Sequence, residues 1–499
     1  MQPDDLLCGW HTDGSLDAPL LEAVEQYLHS LTTANTAAAE VAEAQGDSSA
    51  MHNWAGNVRY RGQVHMPPTV SDLQALVRRS AKLRVLGTRH SFSLVADANL
   101  NGDLVVPMPA ISAAGYIAID AEARTVSCSA GTTYAVLAER LHKQGWALHN
   151  MASLPHISVM GALATATHGS GHHLGNLTTA LTTCRFVNAK GALVRASDAT
   201  TLQAVLLGAL GVVTEVTLRI QPAYAVRQDV YLHVPWERLE ERASLDEIFR
   251  HAYSVSVFVD DWSSPTGASQ AWFKHRVPTT RSQLPPAPAH LFGALRAGRK
   301  MHPIASERPD ACTEQGVAGP WHERLPHFHA QGEPSSRGDE LQSEYFVARA
   351  DAPAAIKALR RIGALLRDVL QVSELRVVAA DELWLSPSYG RDSMGIHFTW
   401  KHDVARVTTE ALPLVETALR PFDARPHWGK LFGISPARIA TLYPKLREYR
   451  ALIQRLDPGG KFLNDFVRRY VLAVHITDVC TCCPCSERHE HIMEVRGAA

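Results

Sequence analysis

The chain lacks the features that mark several large classes of protein. It contains no apolar run of the roughly 18–20 residues that a membrane-spanning helix needs, and its longest apolar stretch, Ala204 to Val213, is short and broken by glycines. The formal net charge is only −1, with basic and acidic residues interspersed, which argues against the clustered basic face of a nucleic-acid-binding protein. Asp4 and Asp5 stand where a secretory signal would need positive charge. We therefore expect a cytoplasmic protein whose partners include neither a membrane nor a nucleic acid.

Cysteine is also scarce, with eight residues in a chain of 499, so a disulfide framework is excluded. Four cysteines are scattered, and we expect most of them to be buried packing residues: Cys8, Cys128, Cys184 and Cys312. The other four crowd the C-terminus, with two histidines close by: Cys480, Cys482, Cys483, Cys485, His489 and His491. Thiolates and imidazoles this close could hold a soft metal. Their spacing matches no standard zinc module, and we predict a tail with free thiols and no metal site.

Common catalytic and nucleotide-binding motifs are missing as well. There is no P-loop, no HExxH and no GxSxG motif. The nearest approach to a dinucleotide fingerprint, residues 169–175, has its last glycine one place late and does not open a helix after a strand. A nucleotide, if one is bound, is therefore held by a fold other than the Rossmann fold.

What is present indicates a globular α+β chain of more than one domain. Hydrophobic residues make up 46% and charged residues 20% of the chain, as in folded soluble proteins, and 499 residues exceed what one core usually supports. The apolar periodicity predicts short elements, such as a helix over residues 133–144 and a hairpin across the Lys190-Gly191 turn, rather than regular βαβ repeats. We predict five segments: an N-terminal extension (1–50), a first domain (51–224), a second domain (225–425), a return to the first domain (426–472) and the Cys/His-rich tail (473–499).

The most informative segment is VLGTRHSFS, residues 85–93. An apolar strand runs into a glycine-punctuated polar turn, whose successive N–H groups can form a concavity for a diphosphate. The turn also places the imidazole of His90 beside whatever the phosphates carry. An ordinary strand–loop connection remains an alternative for this segment alone. Residues 150–171 add a second such stretch, dense in Gly, Ala, Ser and Thr, which let a backbone approach a flat ligand closely; a tightly packed loop is the alternative there.

Charged and polar side chains recur on one face of two predicted strands. Glu374 and Arg376 are two residues apart and therefore point to the same side, and His397 and Thr399 repeat that arrangement. Together with Lys430, such a face is costly to desolvate unless something polar fills the space above it. A polyol, whose hydroxyls both donate and accept hydrogen bonds, meets that requirement. A weak surface ion pair between Glu374 and Arg376 is the alternative.

Segments spread along the chain resemble a known family. Residues 87–92, 153–171, 208–218, 427–430 and 457–462 resemble the vanillyl-alcohol-oxidase class of flavoproteins. Within that class, residues 53–57, 300–303 and 319–328 are similar to those of alditol (xylitol) oxidases. The resemblance runs from about residue 52 to 472. It implies a two-subdomain PCMH-type FAD-binding domain over 51–224, a mixed α/β substrate or cap domain over 225–425, and a return segment that completes the active site.

The resemblance also implies a cofactor site. FAD would be joined through its 8α-methyl group to His90, with its diphosphate on the loop from Gly87 to Ser91. Many relatives have a small residue before this histidine, where this chain has Arg89, which we expect to bond the diphosphate or a neighbouring carboxylate. The cofactor-binding residues implied are Gly87, Thr88, Arg89, His90, Ser91, Ser153, Ser158, Gly161, Ala162, Leu163, Ala164, Val212, Val213 and His427.

For the substrate, the resemblance implies Ser153, Glu374, Arg376, Thr399 and Lys430. Lys430 and Arg376 would stabilise the developing alkoxide, and Glu374 would hold neighbouring hydroxyls. The hydride would pass to flavin N5 and the electrons to O2, giving H2O2. We therefore expect a monomeric alditol oxidase. A sugar-1,4-lactone oxidase or dehydrogenase is the alternative within the class, and a metal-binding protein that works through its cysteine tail is the alternative outside it.

Overall fold

The structure, a computed structural model, describes residues 51–99, 102–106, 117–278, 284–330 and 338–473. The predicted N-terminal extension, Cys8 and the C-terminal cysteine cluster lie outside these ranges. Within them, Cys128, Cys184 and Cys312 are buried, as predicted. No helix of the described ranges combines the length and the apolar character that crossing a bilayer requires.

The N-terminal half contains two small sheets and a two-stranded pair. A parallel sheet has the order β1-β3-β2, an antiparallel sheet has the order β4-β5-β9-β7-β8, and β6 pairs with β10. The strands are β1 (Gln63–His65), β2 (Leu83–Val85), β3 (Asp103–Val105), β4 (Ile117–Asp120), β5 (Thr125–Ser129), β6 (Trp146–Ala147), β7 (Leu181–Val187), β8 (Leu193–Ala196), β9 (Val212–Arg219) and β10 (Gln221–Pro222). The helices are α1 (Val70–Arg79), α2 (Tyr134–Lys143), α3 (Val159–Ala164) and α4 (Ala199–Gln203).

Local signals explain several of these elements. The helix predicted over 133–144 is confirmed as α2. It begins after Thr133, whose side chain accepts a hydrogen bond from the Val136 amide and so caps the first turn. Its end coincides with Gly145, whose φ of +80° is accessible to glycine at little cost. The hairpin predicted across Lys190-Gly191 is confirmed as β7 and β8. These elements depend on residues within a few positions of one another.

The second half is built on one large sheet. Ten strands contribute to it, in the order β14-β15-β11-β13-β12-β18-β19-β17-β20, with β16 paired to β11. The strands are β11 (Ala225–Val234), β12 (Ser254–Val259), β13 (Ala268–Val277), β14 (His290–Leu291), β15 (Ala294–Arg296), β16 (Gly319–Pro320), β17 (Glu340–Ala348), β18 (Leu370–Val378), β19 (Ser393–Lys401) and β20 (Arg425–Pro426). The helices are α5 (Trp236–Glu240), α6 (Arg242–Arg250), α7 (Ala352–Leu366), α8 (Val404–Arg406) and α9 (Leu412–Leu419).

The two faces of the large sheet have opposite chemistry. Because successive strand residues point to opposite sides, Leu375 and Val377 of β18 join the apolar core that includes the helices α5 to α9, whereas Glu374 and Arg376 point the other way. The polar face meets the N-terminal half. The mixture of helices with largely antiparallel sheets confirms the predicted α+β fold class. The alternation along β18 places apolar residues in the core and charged residues on the opposite face of the sheet.

The last described segment contacts both halves. It contains α10 (Pro436–Leu442), α11 (Leu446–Leu456) and α12 (Asp465–Val467), while β20 just before it pairs with β17 of the large sheet. On the other side, Lys82 Nζ donates to the carbonyl of Gly460 at 2.9 Å and Arg84 donates to that of Phe462 at 2.7 Å. The segment around residues 427–430 is thereby held between the two halves.

Candidate active site

A cavity opens between the N-terminal half and the polar face of the large sheet. It holds about 1920 Å³ of empty space, including the part that opens to solvent. The loop after β2, the segment around α3, the polar face of β17, β18 and β19, and residues 427–430 all line it. Segments that are hundreds of residues apart in the chain therefore share one space.

The loop of residues 87–91 is held in place from two sides. The Trp54 amide donates to the carbonyl of Arg89 at 2.8 Å, and the Asn53 side chain donates to that of Ser91 at 3.0 Å. From the return segment, the carbonyl of Gly429 accepts from the Phe92 amide at 2.7 Å. These contacts fix a loop in which Arg89 has a φ of +62°, an uncommon value for a residue with a side chain. The segment 53–57 therefore supports the loop, through the hydrogen bonds of Asn53 and Trp54.

The geometry of this loop suits an anionic ligand. Among the described residues, no protein acceptor takes the amide hydrogens of Gly87, Thr88, His90 and Ser91. The Thr88 hydroxyl instead accepts from the Ser158 amide at 3.1 Å, which joins the loop to the start of α3. Unpaired amides in succession form a concavity that binds phosphate.

Two glycines keep the backbone close where the loop meets α3. A Cβ atom added at Gly87 would lie 2.7 Å from Ser158 Oγ, and one added at Gly161 would lie 2.5 Å from the same oxygen. Neither separation is tolerated without movement of the serine. Small residues at both positions therefore preserve a narrow cradle, as a flat cofactor requires.

His90 has the properties of a neutral nucleophile. Burial lowers the pKa of His90 to about 4, so the imidazole is uncharged at physiological pH. Its ring lies 5.6 Å from that of Trp54, and Nδ1 is buried with no hydrogen-bond partner among the described residues. A buried ring nitrogen without a partner is unfavourable unless a ligand contacts it.

The register of the large sheet aligns the polar residues into rows. Glu374 of β18 stands opposite His397 of β19, which stands opposite Glu344 of β17. Two positions along, Thr399 stands opposite Gln342. All five side chains line the cavity. The sheet thus presents a grid of acceptors and donors in place of the apolar surface found on its other face.

One carboxylate links the two cations of this grid. Glu344 is 1% exposed, and its Oε1 accepts from Arg376 at 2.8 Å while its Oε2 accepts from Lys430 Nζ at 2.7 Å. Burial by itself raises the pKa of Glu344, but Arg376 and Lys430 hold it well below the ordinary value. Lys430 Nζ also donates to His397 Nδ1 at 2.6 Å. Burial lowers the pKa of Lys430, and Glu344 opposes that shift.

Glu374 has a second set of partners. Its Oε1 lies 2.8 Å from His327 Nε2 and its Oε2 lies 3.4 Å from Arg376 Nε. Burial raises the pKa of Glu374, but Arg376 and His327 together hold it far below the ordinary value. Glu374 and Arg376 are 4% and 6% exposed. The alternative of a surface ion pair is therefore wrong, and the two residues belong to the wall of the cavity.

Nearly all residues predicted for the site line this one cavity. They are Gly87, Thr88, Arg89, His90, Ser91, Ser153, Ser158, Gly161, Ala162, Ala164, Val213, Glu374, Arg376, Thr399, His427 and Lys430. The exceptions are Leu163 and Val212, which pack into apolar cores instead. On β9 successive side chains alternate, so Val213 faces the cavity and Val212 cannot.

The sequence reasoning missed several residues of the site. Glu344 and Gln342 lie on β17, where Glu340, Gln342 and Glu344 form a polar row at alternate positions. The same alternation had identified Glu374 and Arg376, so this signal was available. His327, by contrast, lies in irregular structure between β16 and β17, and nothing local indicates its contact with Glu374. No group of three or more potential ligands in the described ranges is arranged to hold a metal.

Comparison with known proteins agrees with this geometry. The family model of the FAD-binding domain matches residues 63–197, and that of D-arabinono-1,4-lactone oxidase matches residues 339–470. The chain is 44% identical to an alditol oxidase of a Streptomyces species over 84% of this chain and 99% of that relative. It is 27% identical to an L-gulono-1,4-lactone dehydrogenase of Mycobacterium tuberculosis over 84% of this chain and 98% of that relative.

Solved structures support the fold. Cholesterol oxidase from B. sterolicum is similar with a TM-score of 0.66 at 16% identity, covering 84% of this chain and 96% of that one. A solvent-stable cholesterol oxidase is similar with a TM-score of 0.67 at 13% identity over the same shares. The predicted PCMH-type FAD-binding fold is thus confirmed. Because 44% identity extends over almost the whole length of a curated relative, the chain belongs to the alditol oxidase family of FAD-dependent oxidoreductases.

Proposed function

We propose that this protein oxidises the terminal primary alcohol of alditols such as xylitol and sorbitol to the aldose, with O2 as the electron acceptor and H2O2 as the second product. One observation carries the proposal: a single cavity is lined both by the loop of His90 and by two cations, the buried Arg376 and the half-buried Lys430. The 44% identity to an alditol oxidase supports the choice of substrate class.

The residues around the loop fit FAD. The diphosphate would lie on the amides of Gly87, Thr88, His90 and Ser91, which no acceptor among the described residues takes, and Ser158 and Gly161 would flank the cofactor in the narrow cradle. Bound FAD supplies a hydride acceptor, its N5 atom. We further propose that FAD is attached covalently through His90, since that imidazole is neutral, lies in the cavity and has a buried Nδ1 without a partner among the described residues.

Lys430 and Arg376 would act on the reacting oxygen. An ammonium group has three hydrogens, and Lys430 uses two of them on Glu344 and His397. The third remains for a substrate hydroxyl. Negative charge develops on that oxygen as the O–H proton leaves, and it disappears again when the hydride leaves the carbon and a carbonyl forms. A fixed cation in a site shielded from water stabilises the intervening charge strongly. Arg376, held by Glu344 and Glu374, adds a second positive charge.

The other polar groups would bind hydroxyls that do not react. Glu374 is an acceptor, Thr399 both donates and accepts, and Ser153 lines the same cavity. Gln342, opposite Thr399, extends the polar wall toward the far end of a linear polyol. A site built to bond hydroxyls rejects analogues that lack them, so simple alcohols should be poor substrates.

A second candidate is the oxidation of a sugar-1,4-lactone, because the lactone oxidase family model matches residues 339–470. A panel of xylitol, sorbitol, 1-pentanol and two aldonolactones, each assayed for H2O2 and for reduction of an artificial dye, separates the two. We expect peroxide with the polyols only. Turnover of the lactones but not of the polyols would replace the first proposal by the second, and dye reduction without peroxide would remove O2 as acceptor.

The proposal includes a monomeric state and a cytoplasmic location. The free thiols of Cys128, Cys184 and Cys312 suit a reducing compartment. Size-exclusion chromatography with light scattering measures the mass against the 54.6 kDa of one chain.

A further inference from the structure

Behind Glu374 lies a lysine that the proposed reaction does not use. Lys274 of β13 is 1% exposed, and its ammonium group faces three acceptors. These are the carbonyl of Leu325, the carbonyl of Pro326 at 3.2 Å and Nδ1 of His327 at 3.1 Å. Three hydrogens thus meet three acceptors, which satisfies the group completely. All three acceptors belong to the segment 319–328, one of those that resemble alditol oxidases.

The position of Lys274 decides which nitrogen of His327 carries the proton. Burial lowers the pKa of Lys274 to about 7, so at pH 6 the group is an ammonium. An ammonium group cannot accept a hydrogen bond, and Nδ1 of His327 is then the acceptor. In a neutral imidazole the proton is then on Nε2, the nitrogen that lies 2.8 Å from Glu374 Oε1. Burial lowers the pKa of His327 to about 4, which keeps the ring neutral. The chain of donors therefore runs from Lys274 through His327 to Glu374.

The surroundings hold the imidazole in this orientation. The rings of Phe258 and Trp272 approach that of His327 edge-on, with centroids at 5.5 and 5.2 Å. The His327 amide donates to the carbonyl of Ser153 at 3.1 Å, and its own carbonyl accepts from the Thr313 amide at 2.8 Å. The ring thus has little freedom to turn, and only the choice of the ring nitrogen that carries the proton can still change.

We propose that Lys274 and His327 are positioning residues, which fix the orientation of the Glu374 carboxylate so that its remaining lone pairs accept a non-reacting hydroxyl of the substrate. The inference rests on the proposed function for the identity of that hydroxyl. Without the ammonium group, only Glu374 favours the proton on Nε2, and the imidazole can also carry it on Nδ1, on the side where Lys274 had bonded the carbonyls of Leu325 and Pro326. Its Nε2 lone pair would then face the carboxylate, and Glu374 would lose both a donor and its orientation.

A tautomer measurement on the full-length, FAD-loaded protein tests the first half of the proposal without any substrate. The ring nitrogens of the histidines are labelled with ¹⁵N, and the signal of His327 is identified by its loss in His327→Gln. At pH 6 we expect Nε2 of His327 to be protonated and Nδ1 to be unprotonated. A proton on Nδ1 in the wild-type protein would contradict the proposed chain of donors from Lys274 through His327 to Glu374. This measurement needs no variant of Lys274 that folds.

A double-mutant cycle at the same pH tests the second half. Lys274→Met should raise KM for xylitol about tenfold with less than a threefold change in kcat. His327→Gln should retain most of the affinity for xylitol, because the side-chain amide can donate to Glu374 whether residue 274 is lysine or methionine. The double variant should match His327→Gln. If Lys274→Met costs as much in the His327→Gln background as in the wild type, Lys274 only stabilises the fold and the proposal fails.

The outcome separates this inference from the proposed function. If the protein oxidises polyols but His327 carries its proton on Nδ1, only the proposed role of Lys274 and His327 is rejected. If His327 has the expected tautomer but the protein oxidises no polyol, that role is retained and the proposed substrate is rejected. Lys401→Met is the matched control, because Lys401 stands at the exposed end of β19 and its side chain donates only to the carbonyl of Asp368 among the described residues. The KM of this variant for xylitol should be unchanged.

Discussion

Glu344 Oε2 lies 2.7 Å from Lys430 Nζ, in a place where the carboxylate side chain has no contact with solvent. The other oxygen of the same carboxylate is bonded to Arg376. One buried acidic group therefore sets the position of both cations that would face the substrate. Removing one member of a buried charge cluster leaves its partners uncompensated, which costs far more than losing a surface pair.

Glu344→Gln is expected to damage both stability and turnover. The amide can accept from only one of the two cations through its oxygen, so the free energy of unfolding should fall by about 3 kcal/mol. Because Lys430 and Arg376 would lose their fixed positions, kcat/KM for xylitol should fall about 10²-fold. Urea unfolding and steady-state kinetics measure the two effects. Wild-type values for both would show that Glu344 does not organise the site.

Glu416→Gln provides the matched control for that variant. Glu416 is a half-buried glutamate beside β17, where its Oε1 accepts from Tyr345 at 2.7 Å and from the Gly433 amide at 2.6 Å, but it does not line the cavity. Burial raises the pKa of Glu416 to about 7, so a neutral amide is close to its state at pH 6. We expect less than about 1 kcal/mol of destabilisation and unchanged kinetics.

Lys430→Met is expected to lower kcat for xylitol at least ~10²-fold, since it removes a positive charge from the developing alkoxide. The side chain keeps a similar length, so the flavin content should stay at the wild-type level, and absorbance of the purified protein checks this. Turnover within a factor of a few of the wild type would exclude Lys430 from the chemistry.

His90→Ala tests the covalent attachment. Wild-type protein precipitated with acid should give a yellow, fluorescent pellet, because a tethered flavin stays with the chain. The variant should release its flavin into the supernatant. Thr88→Ala, a neighbouring change in the same loop, should keep the yellow pellet. A colourless wild-type pellet would contradict the linkage while leaving FAD binding itself intact.

Stability should depend on pH through histidines that are neutral in the native protein and are buried or half-buried. The pKa values of His90, His149, His275 and His327 are each lowered to about 4, by burial above all, against an ordinary value of about 6.5. Between pH 6.5 and 4 the unfolded chain therefore binds more protons than the native protein. The free energy of unfolding then falls as the pH falls through this window. Glu374, whose pKa is lowered, adds a loss only below about pH 4.5.

His149→Gln isolates one of these contributions outside the cavity. Removing a single titrating group should reduce the slope of unfolding free energy against pH by about 1 kcal/mol per unit between pH 6.5 and 4.5. Chemical unfolding at four or five pH values measures the slope. A slope equal to that of the wild type would show that His149 titrates normally in the native protein.

The parts of the fold predicted correctly are those that local physics dictates. The helix α2 follows from a capping threonine, an apolar face of helical spacing and a glycine stop, all within a dozen residues. The strand alternation that exposes Glu374 and Arg376 on one face is equally local. The resemblance implied that Val212 or Val213 lies beside the cofactor, and the local sequence does not show which of the two faces the cavity; Val213 lines it, whereas Val212 packs into an apolar core.

The contacts of the site could not be predicted in the same way. Nothing near Lys274 in the sequence indicates that it meets His327, 53 residues later, or that His327 meets Glu374, 47 residues further on. Such contacts depend on sheet register and on the path of irregular segments. A local sequence pattern contains no information about either. Glu344 is an intermediate case, because its strand alternation was visible but its two cationic partners were not.

The amino-acid order alone determined where ligand-binding chemistry lies along this chain: a loop that can surround phosphates, a histidine within it, and polar residues on alternate positions of strands. Only the tertiary structure decided the ionisation and the partners of those groups. The reason is that a pKa depends on burial and on charges a few ångströms away, and these neighbours come from segments that meet only when the large sheet closes over the N-terminal half.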